Sequence, residues 1–147
     1  MRDMVNNTVS THLGNLTLSG TTPAASDWVD MQGFDSCTIE MVNNTITDAG
    51  TAAGYTATMQ HGDDTTAAGA ADVATTDTVN GTITVAETSD TNDDNVAGAI
   101  GYRGSKRYVR FNVVGTTGTA ADVSIIAKQH KAHRAPTTYV GTSDAAT

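Results

Sequence analysis

The chain has 147 residues, of which 38% are hydrophobic and 5% aromatic, and its 16 acids against eight Lys and Arg give a formal charge of −8. This length predicts one domain, which buries roughly 70% of its unfolded surface and needs no staple. The acidic balance argues against direct nucleic-acid binding, the lone Cys37 rules out an intrachain disulfide, and without about 18 consecutive apolar residues no transmembrane helix or membrane partner is expected.

Thr, Ala and Gly supply 62 residues. That composition is poor for helices and acceptable for strands. A single thiol fits a reducing compartment. The opening "MRDMVNNTVS" has no apolar core of a secretory signal, and residues 1–7 read as an extended N-terminal arm.

From there, period-2 patterns recur and helical ones do not. Residues 9–18 and 28–31 are weaker strands. In "CTIEMV", Cys37, Ile39 and Met41 face one way, Thr38 and Glu40 the other. "NNTITDAGTAAG" reads as a loop. "GYTATMQ" alternates Tyr55, Ala57 and Met59 with Thr56, Thr58 and Gln60. "DDTTAAGAAD" is an acidic loop. "TVNGTITV" places Asn80-Gly81 between two β-rich runs, the strongest hairpin signal in the chain. "ETSDTNDDN" is a second acidic loop, and residues 96–102 form another weaker strand. In "RYVRFNVV", Val109, Phe111 and Val113 oppose Tyr108, Arg110 and Asn112. "GTTGT" predicts a longer hairpin into "ADVSIIAK", where Val123, Ile125 and Ala127 oppose Ser124, Ile126 and Lys128. Residues 135–147 have few apolar anchors and form an extended C-terminal tail. The expectation is an all-β fold: a single antiparallel β-sandwich or barrel-like domain over residues 8–134, with extended termini.

Catalytic signals are missing. There is no G-x-S-x-G elbow, and "GYRGS" lacks the spacing of a phosphate loop. Cys37 alternates with core residues and reads as a buried inert thiol. "DTNDDN" sets Asp90, Asn92 and Asp94 at calcium-loop spacing, but Asn95 stands where Gly is needed and Gly101 where a bidentate Glu is needed. His130 and His133 lie among cations that repel a metal. No enzyme activity, cofactor or metal is expected.

The charge distribution is the informative feature. Seven of the eight Lys and Arg lie between Arg103 and Arg134, with only Asp122 among the acids; that segment carries +6 and the rest −14. Aromatic residues beside Arg are enriched at protein interfaces. The candidate partner contacts are Tyr102, Arg103, Lys106, Arg107, Tyr108, Arg110, Lys128, Lys131 and Arg134. Lys128 reaches the face of Tyr108 and Arg110 if the last two strands pair as a hairpin. The basic side is expected toward a partner and the acidic loops, residues 63–72 and 90–94, toward solvent. Neutralisation of the acids within the chain is an equally supported alternative.

The stretches "GFDSCTIEMV", "GYTATMQHGDD" and "GYRGSKRYVRFNVVGTTGTAADVSIIAKQHKAHRAP" resemble a group of small head proteins of tailed bacteriophages over residues 33–136. The Thr/Ala/Gly-rich residues 45–94 depart from that pattern. The resemblance implies a decoration, or cement, protein made in the host cytoplasm. Such a protein sits on the outer surface of the virion head, binds the major capsid protein and is often a homotrimer. Two other classes compete: a virion receptor- or glycan-binding module, with Trp28 and Tyr139 as its aromatic candidates, and a head-completion or tail-tube component.

Overall fold

The computed structural model describes residues 7–46, 54–85 and 96–133. Alternation decides which way each strand faces, because successive strand side chains point to opposite sides. The four strongest patterns all bury the predicted face. Cys37, Ile39 and Met41 lie inward on β4 (Phe34–Ile46), and Tyr55, Ala57 and Met59 on β5 (Tyr55–Gly62). Val109, Phe111 and Val113 lie inward on β10 (Tyr108–Gly115), and Val123, Ile125 and Ala127 on β11 (Ala120–Ala132).

Among the described residues there are also β1 (Thr8–Ser19), β2 (Ala24–Ala25), β3 (Val29–Asp30), β6 (Ala71–Asp72), β7 (Thr78–Val79), β8 (Thr82–Val85) and β9 (Val96–Tyr102). They form two antiparallel sheets, and their inner faces share one hydrophobic core. The first sheet runs β1-β11-β4-β9-β7. In the second, β10 and β5 pair centrally; β2 and β3 flank β10, while β6 and β8 flank β5. The fold is all-β, as expected. Helical structure among the described residues is confined to 3-10 turns, such as Thr75–Asp77, and no described helix is long and apolar enough to cross a membrane.

Buried polar groups tie the layers together. The Tyr55 hydroxyl donates to Asn43 Oδ1, and the Thr119 hydroxyl donates to the Gly54 carbonyl. The Ser26 hydroxyl accepts the Phe111 N–H at 3.0 Å, and Gln129 Nε2 donates to the Asp30 carbonyl at 2.6 Å. Such pairing matters because an unpaired buried polar group costs about 1–3 kcal/mol.

Both expected hairpins are corrected. Asn80 does adopt a positive φ of 65°, but a type I′ hairpin needs two such residues, and Gly81 is not in that region. The chain instead crosses between sheets here: β7 pairs with β9 in the first, β8 with β5 in the second. The connection at residues 115–119 likewise arches from β10 to β11 across the sandwich. Its turn is held by Thr119 N–H donating to the Thr116 carbonyl at 3.1 Å and Gly20 N–H donating to the Thr119 carbonyl at 2.8 Å. Length matching explains the partition. The 13-residue β11 pairs with the 12-residue β1 and the 13-residue β4, whereas the eight-residue β10 pairs with the eight-residue β5. Longer matched ladders satisfy more backbone groups.

Smaller differences follow. The strand expected over residues 28–31 shrinks to Val29–Asp30, and the loop expected from Asn43 begins later because β4 continues to Ile46. Most of the expected arm (residues 1–6 of 1–7), the tail (135–147), Arg134 and the acidic loop at 90–94 lie outside the described residues.

Two outcomes are expected. Phe111→Ala, at a fully buried position facing the opposite sheet, should destabilise the fold by about 3–5 kcal/mol in denaturant unfolding. The Cys37 thiol is 1% exposed, and burial pushes its pKa up to about 12. It should resist a thiol reagent in native buffer and react on unfolding; rapid labelling of the folded chain would contradict that placement.

Candidate partner interface

The basic loop between β9 and β10 is built on Tyr102. This residue was expected to present itself to a partner; it is instead 2% exposed and points into the core. The correction follows from alternation, since Ile100 and Tyr102 share the inward face of β9. The Tyr102 hydroxyl accepts the Lys106 N–H at 2.9 Å and lies 3.1 Å from His61 Nδ1. The two rings meet edge-on, with centroids 5.9 Å apart. Burial raises the phenol's pKa and so keeps it a neutral hydroxyl. Gly104 is required above it, because a Cβ there would lie 2.6 Å from the Tyr102 hydroxyl.

Most of the loop's charge is met within the chain. Lys106 Nζ lies 2.5 Å from Asp63 Oδ2. Arg107 grips Asp30 with two parallel bonds, Nε to Oδ1 at 3.0 Å and Nη2 to Oδ2 at 2.7 Å. These bonds hold the Asp30 carboxyl below its ordinary pKa. The backbone reinforces the pair, with Met31 N–H donating to the Arg107 carbonyl at 2.7 Å. Arg103 Nε donates to the Thr76 carbonyl at 3.0 Å. Asp63 therefore turns toward the basic loop, and the expected separation of acidic and basic surfaces does not hold there.

Lys128 is carried to the other sheet by the arch after β10. Its Nζ lies 2.8 Å from Glu40 Oε2, on the outer face of the first sheet. It does not join Tyr108 and Arg110. Lys131 is exposed at the end of β11 with a φ of 55°. His130 Nδ1 lies 3.5 Å from Thr8 Oγ1, whereas His133 Nε2 lies 2.6 Å from Asp35 Oδ1. The two imidazoles thus turn to different partners. His133 and Asp35 border an open groove of about 450 Å³ between the 31–35 turn and the basic loop.

Arg110 differs from the other cations. It lies on the outer face of β10, opposite Gln60 of β5. Its guanidinium carbon sits 4.4 Å from the centre of the Trp28 ring, and its Nε donates to Gln60 Oε1 at 3.1 Å. Gln60 Nε2 in turn donates to Asp72 Oδ1 at 3.1 Å. No carboxylate among the described residues pairs with Arg110. Burial lowers its pKa, the mark of a cation that has lost part of its water. Tyr108 adjoins it on the same face and lies under the Arg107 guanidinium, 5.0 Å from ring centre to guanidinium carbon. Trp28, Tyr108, Gln60 and Arg110 thus form one patch. Trp28 entered the sequence reading only as a glycan-binding candidate, and Gln60 only as an outward strand position. Their contacts with Arg110 span 82 and 50 positions of chain, so local pattern carries no sign of them.

Neither a protein-family model nor a curated protein matches the chain. Solved structures do match its fold. The PBSX exported protein XepA aligns over 91% of this chain with a TM-score of 0.54 and 15% identity. The chain spans 41% of the length of that protein. The SPBc2 prophage-derived protein YomS aligns over 84% of this chain and 92% of its own, with a TM-score of 0.47 and 14% identity. A structure of Bacillus endospore appendages, described as disulfide-linked pili, aligns over 90% and 97% with a TM-score of 0.46 and 15% identity. At these identities the likeness is one of fold.

The Asp30–Arg107 pair generates a pH dependence with a definite sign. A carboxyl whose pKa is depressed by folding adds stability above its unfolded value and loses it as pH falls through the folded one. For Asp30 the loss sets in as pH falls below the ordinary value of 3.8. Asp30→Asn should make chemical unfolding less pH-dependent in that acidic range and slightly lower stability at neutral pH. Identical pH profiles for the variant and the parent would refute the coupling.

Proposed function

We propose that the chain is a non-enzymatic structural protein of a tailed-bacteriophage virion that decorates the head. In this reading it binds the outer surface of the assembled shell through contacts to the major capsid protein. It acts as a homo-oligomer, a trimer by analogy with the proteins it resembles. The observation carrying this reading is the Trp28, Tyr108 and Arg110 patch, an aromatic and arginine surface on an acidic protein. Surfaces of that composition are enriched in binding energy. The sequence resemblance over residues 33–136 supplies the phage context, and a sandwich fold is compatible with it. Arg103, Lys106, Arg107 and Lys131 stand as further contact candidates, with their charges largely committed or peripheral. Lys128 and Arg134 remain candidates for a second contact.

The mechanism is thermodynamic. A protein that binds the assembled shell and not its dissociated subunits stabilises assembly by mass action. No cofactor or membrane enters this scheme, and the acidic chain is not expected to touch the packaged nucleic acid. A receptor- or glycan-binding module is the second reading, favoured by the partial exposure of Trp28 on the sheet surface.

Purified particles should carry the protein in hundreds of copies. A few copies would indicate an adhesin, and stacked rings of six a tube component. Combined Tyr108→Ala and Arg110→Ala should weaken binding to heads by at least tenfold, or about 1.4 kcal/mol, while leaving the circular dichroism spectrum unchanged. Unaltered binding would place the interface elsewhere.

A further inference from the structure

We propose that Arg110 is a receptor for a single carboxylate from an acidic side chain of a partner protein. Trp28 is its platform, and Gln60 is the group that keeps Asp72 from pairing with it. The proposal deepens the partner-interface reading above and rests on it for the identity of the partner.

Lys106, Arg107 and Lys128 each meet a carboxylate within the chain. Arg110 is partly buried, yet meets none among the described residues. An acid is nearby: Asp72 is two hydrogen bonds away, through Gln60. Gln60 separates the two by giving its amide N–H to Asp72 and its carbonyl to Arg110 Nε. A Glu at this position would close an internal ion pair; the amide leaves the cation uncompensated among the described residues. Nε is given to Gln60 and one face of the guanidinium lies on Trp28, which leaves the edge of the two terminal amino groups as the one for a partner. That edge presents parallel N–H donors that match a planar carboxylate in bidentate fashion. Stacking on the indole fixes the fork before the partner arrives and lowers the entropy lost on binding.

Trp28 is the sole tryptophan, so its fluorescence reports on this patch. The full chain is titrated with hexaglutamate, with hexaglutamine and inorganic phosphate as comparisons. Hexaglutamate should produce a saturable change that weakens as salt rises, and hexaglutamine should produce none. Arg110→Gln and Gln60→Glu should each weaken the response by about tenfold or more. Gln60→Glu exchanges the amide's bond to Asp72 for an internal ion pair to Arg110, so a cooperative unfolding transition and an unchanged circular dichroism spectrum serve as the check that the variant is folded. Retention of the parent response in a folded Gln60→Glu variant overturns the proposal. So does an equal response to hexaglutamine, or a phosphate response as strong as that to hexaglutamate. These titrations use no phage particle. A chain that responds to hexaglutamate but does not bind heads would sink the head-decoration reading and leave the carboxylate receptor standing. A Gln60→Glu variant that binds heads like the parent but has lost the hexaglutamate response would place the capsid contact on another surface.

Discussion

The structure depends on the burial of one side of β10 between the two sheets. Val109, Phe111 and Val113 are each 0% exposed, and the strand period leaves no choice for the residues between them. Tyr108, Arg110 and Asn112 must point outward. A one-residue slip would send an arginine into the core and a phenylalanine into water, so the register is strongly specified. The outer face is therefore fixed by the packing of the inner one.

The same burial explains how so small an aromatic and aliphatic supply sustains the domain. Four strands place three apolar side chains each in one core, from Ala57 and Ala127 up to Tyr55 and Phe111 in size. Buried hydroxyl and amide groups add hydrogen bonds at the margin of that core, as with Tyr55 to Asn43 and Thr119 to Gly54. The abundance of Thr then has a local use: Thr56 faces Thr84 and Thr58 faces Thr82 across β5 and β8. Such β-branched pairs suit a solvated sheet surface.

The inward faces of β4, β5, β10 and β11 were legible from alternation alone, because periodicity is a property of consecutive residues. Sheet membership was not. Asn80 takes the positive φ its sequence suggests, but a local turn does not say whether the chain turns back within a sheet or crosses to the other. That choice belongs to ladder length, which is settled by residues far away in sequence. The consequence reaches the candidate interface, since crossing at residues 115–119 separates Lys128 from Arg110. Tyr102 was misread for a related reason. Its neighbours in "GYRGSKR" are polar, but its place at the end of β9 continues the inward row of Ile100. The concentration of charge in residues 103–134 was legible as a count; the acids that answer it, Asp30, Asp63 and Glu40, come from other elements.

The outer patch is positioned by one of the shortest strands. Strand β3 has two residues, too few to be stable on its own, yet it positions both aromatic and acidic neighbours of β10. Val29 is 4% exposed and anchors it in the core opposite Val109. On one side of that anchor Asp30 receives the two-bond grip of Arg107. On the other Trp28 lies against the Arg110 guanidinium. Just upstream, Ser26 exchanges hydrogen bonds with Phe111, its N–H donating to the Phe111 carbonyl at 2.9 Å and its hydroxyl accepting the Phe111 N–H at 3.0 Å. The segment is thus held at Arg107, Val109, Arg110 and Phe111, and the indole has little freedom to leave the arginine. A cation stacked and partly dehydrated in advance has less to lose when an anion arrives than one waving in solvent. The core residue Val29 therefore contributes to the binding patch without touching it, by fixing the distance between a neutralised arginine and an uncompensated one.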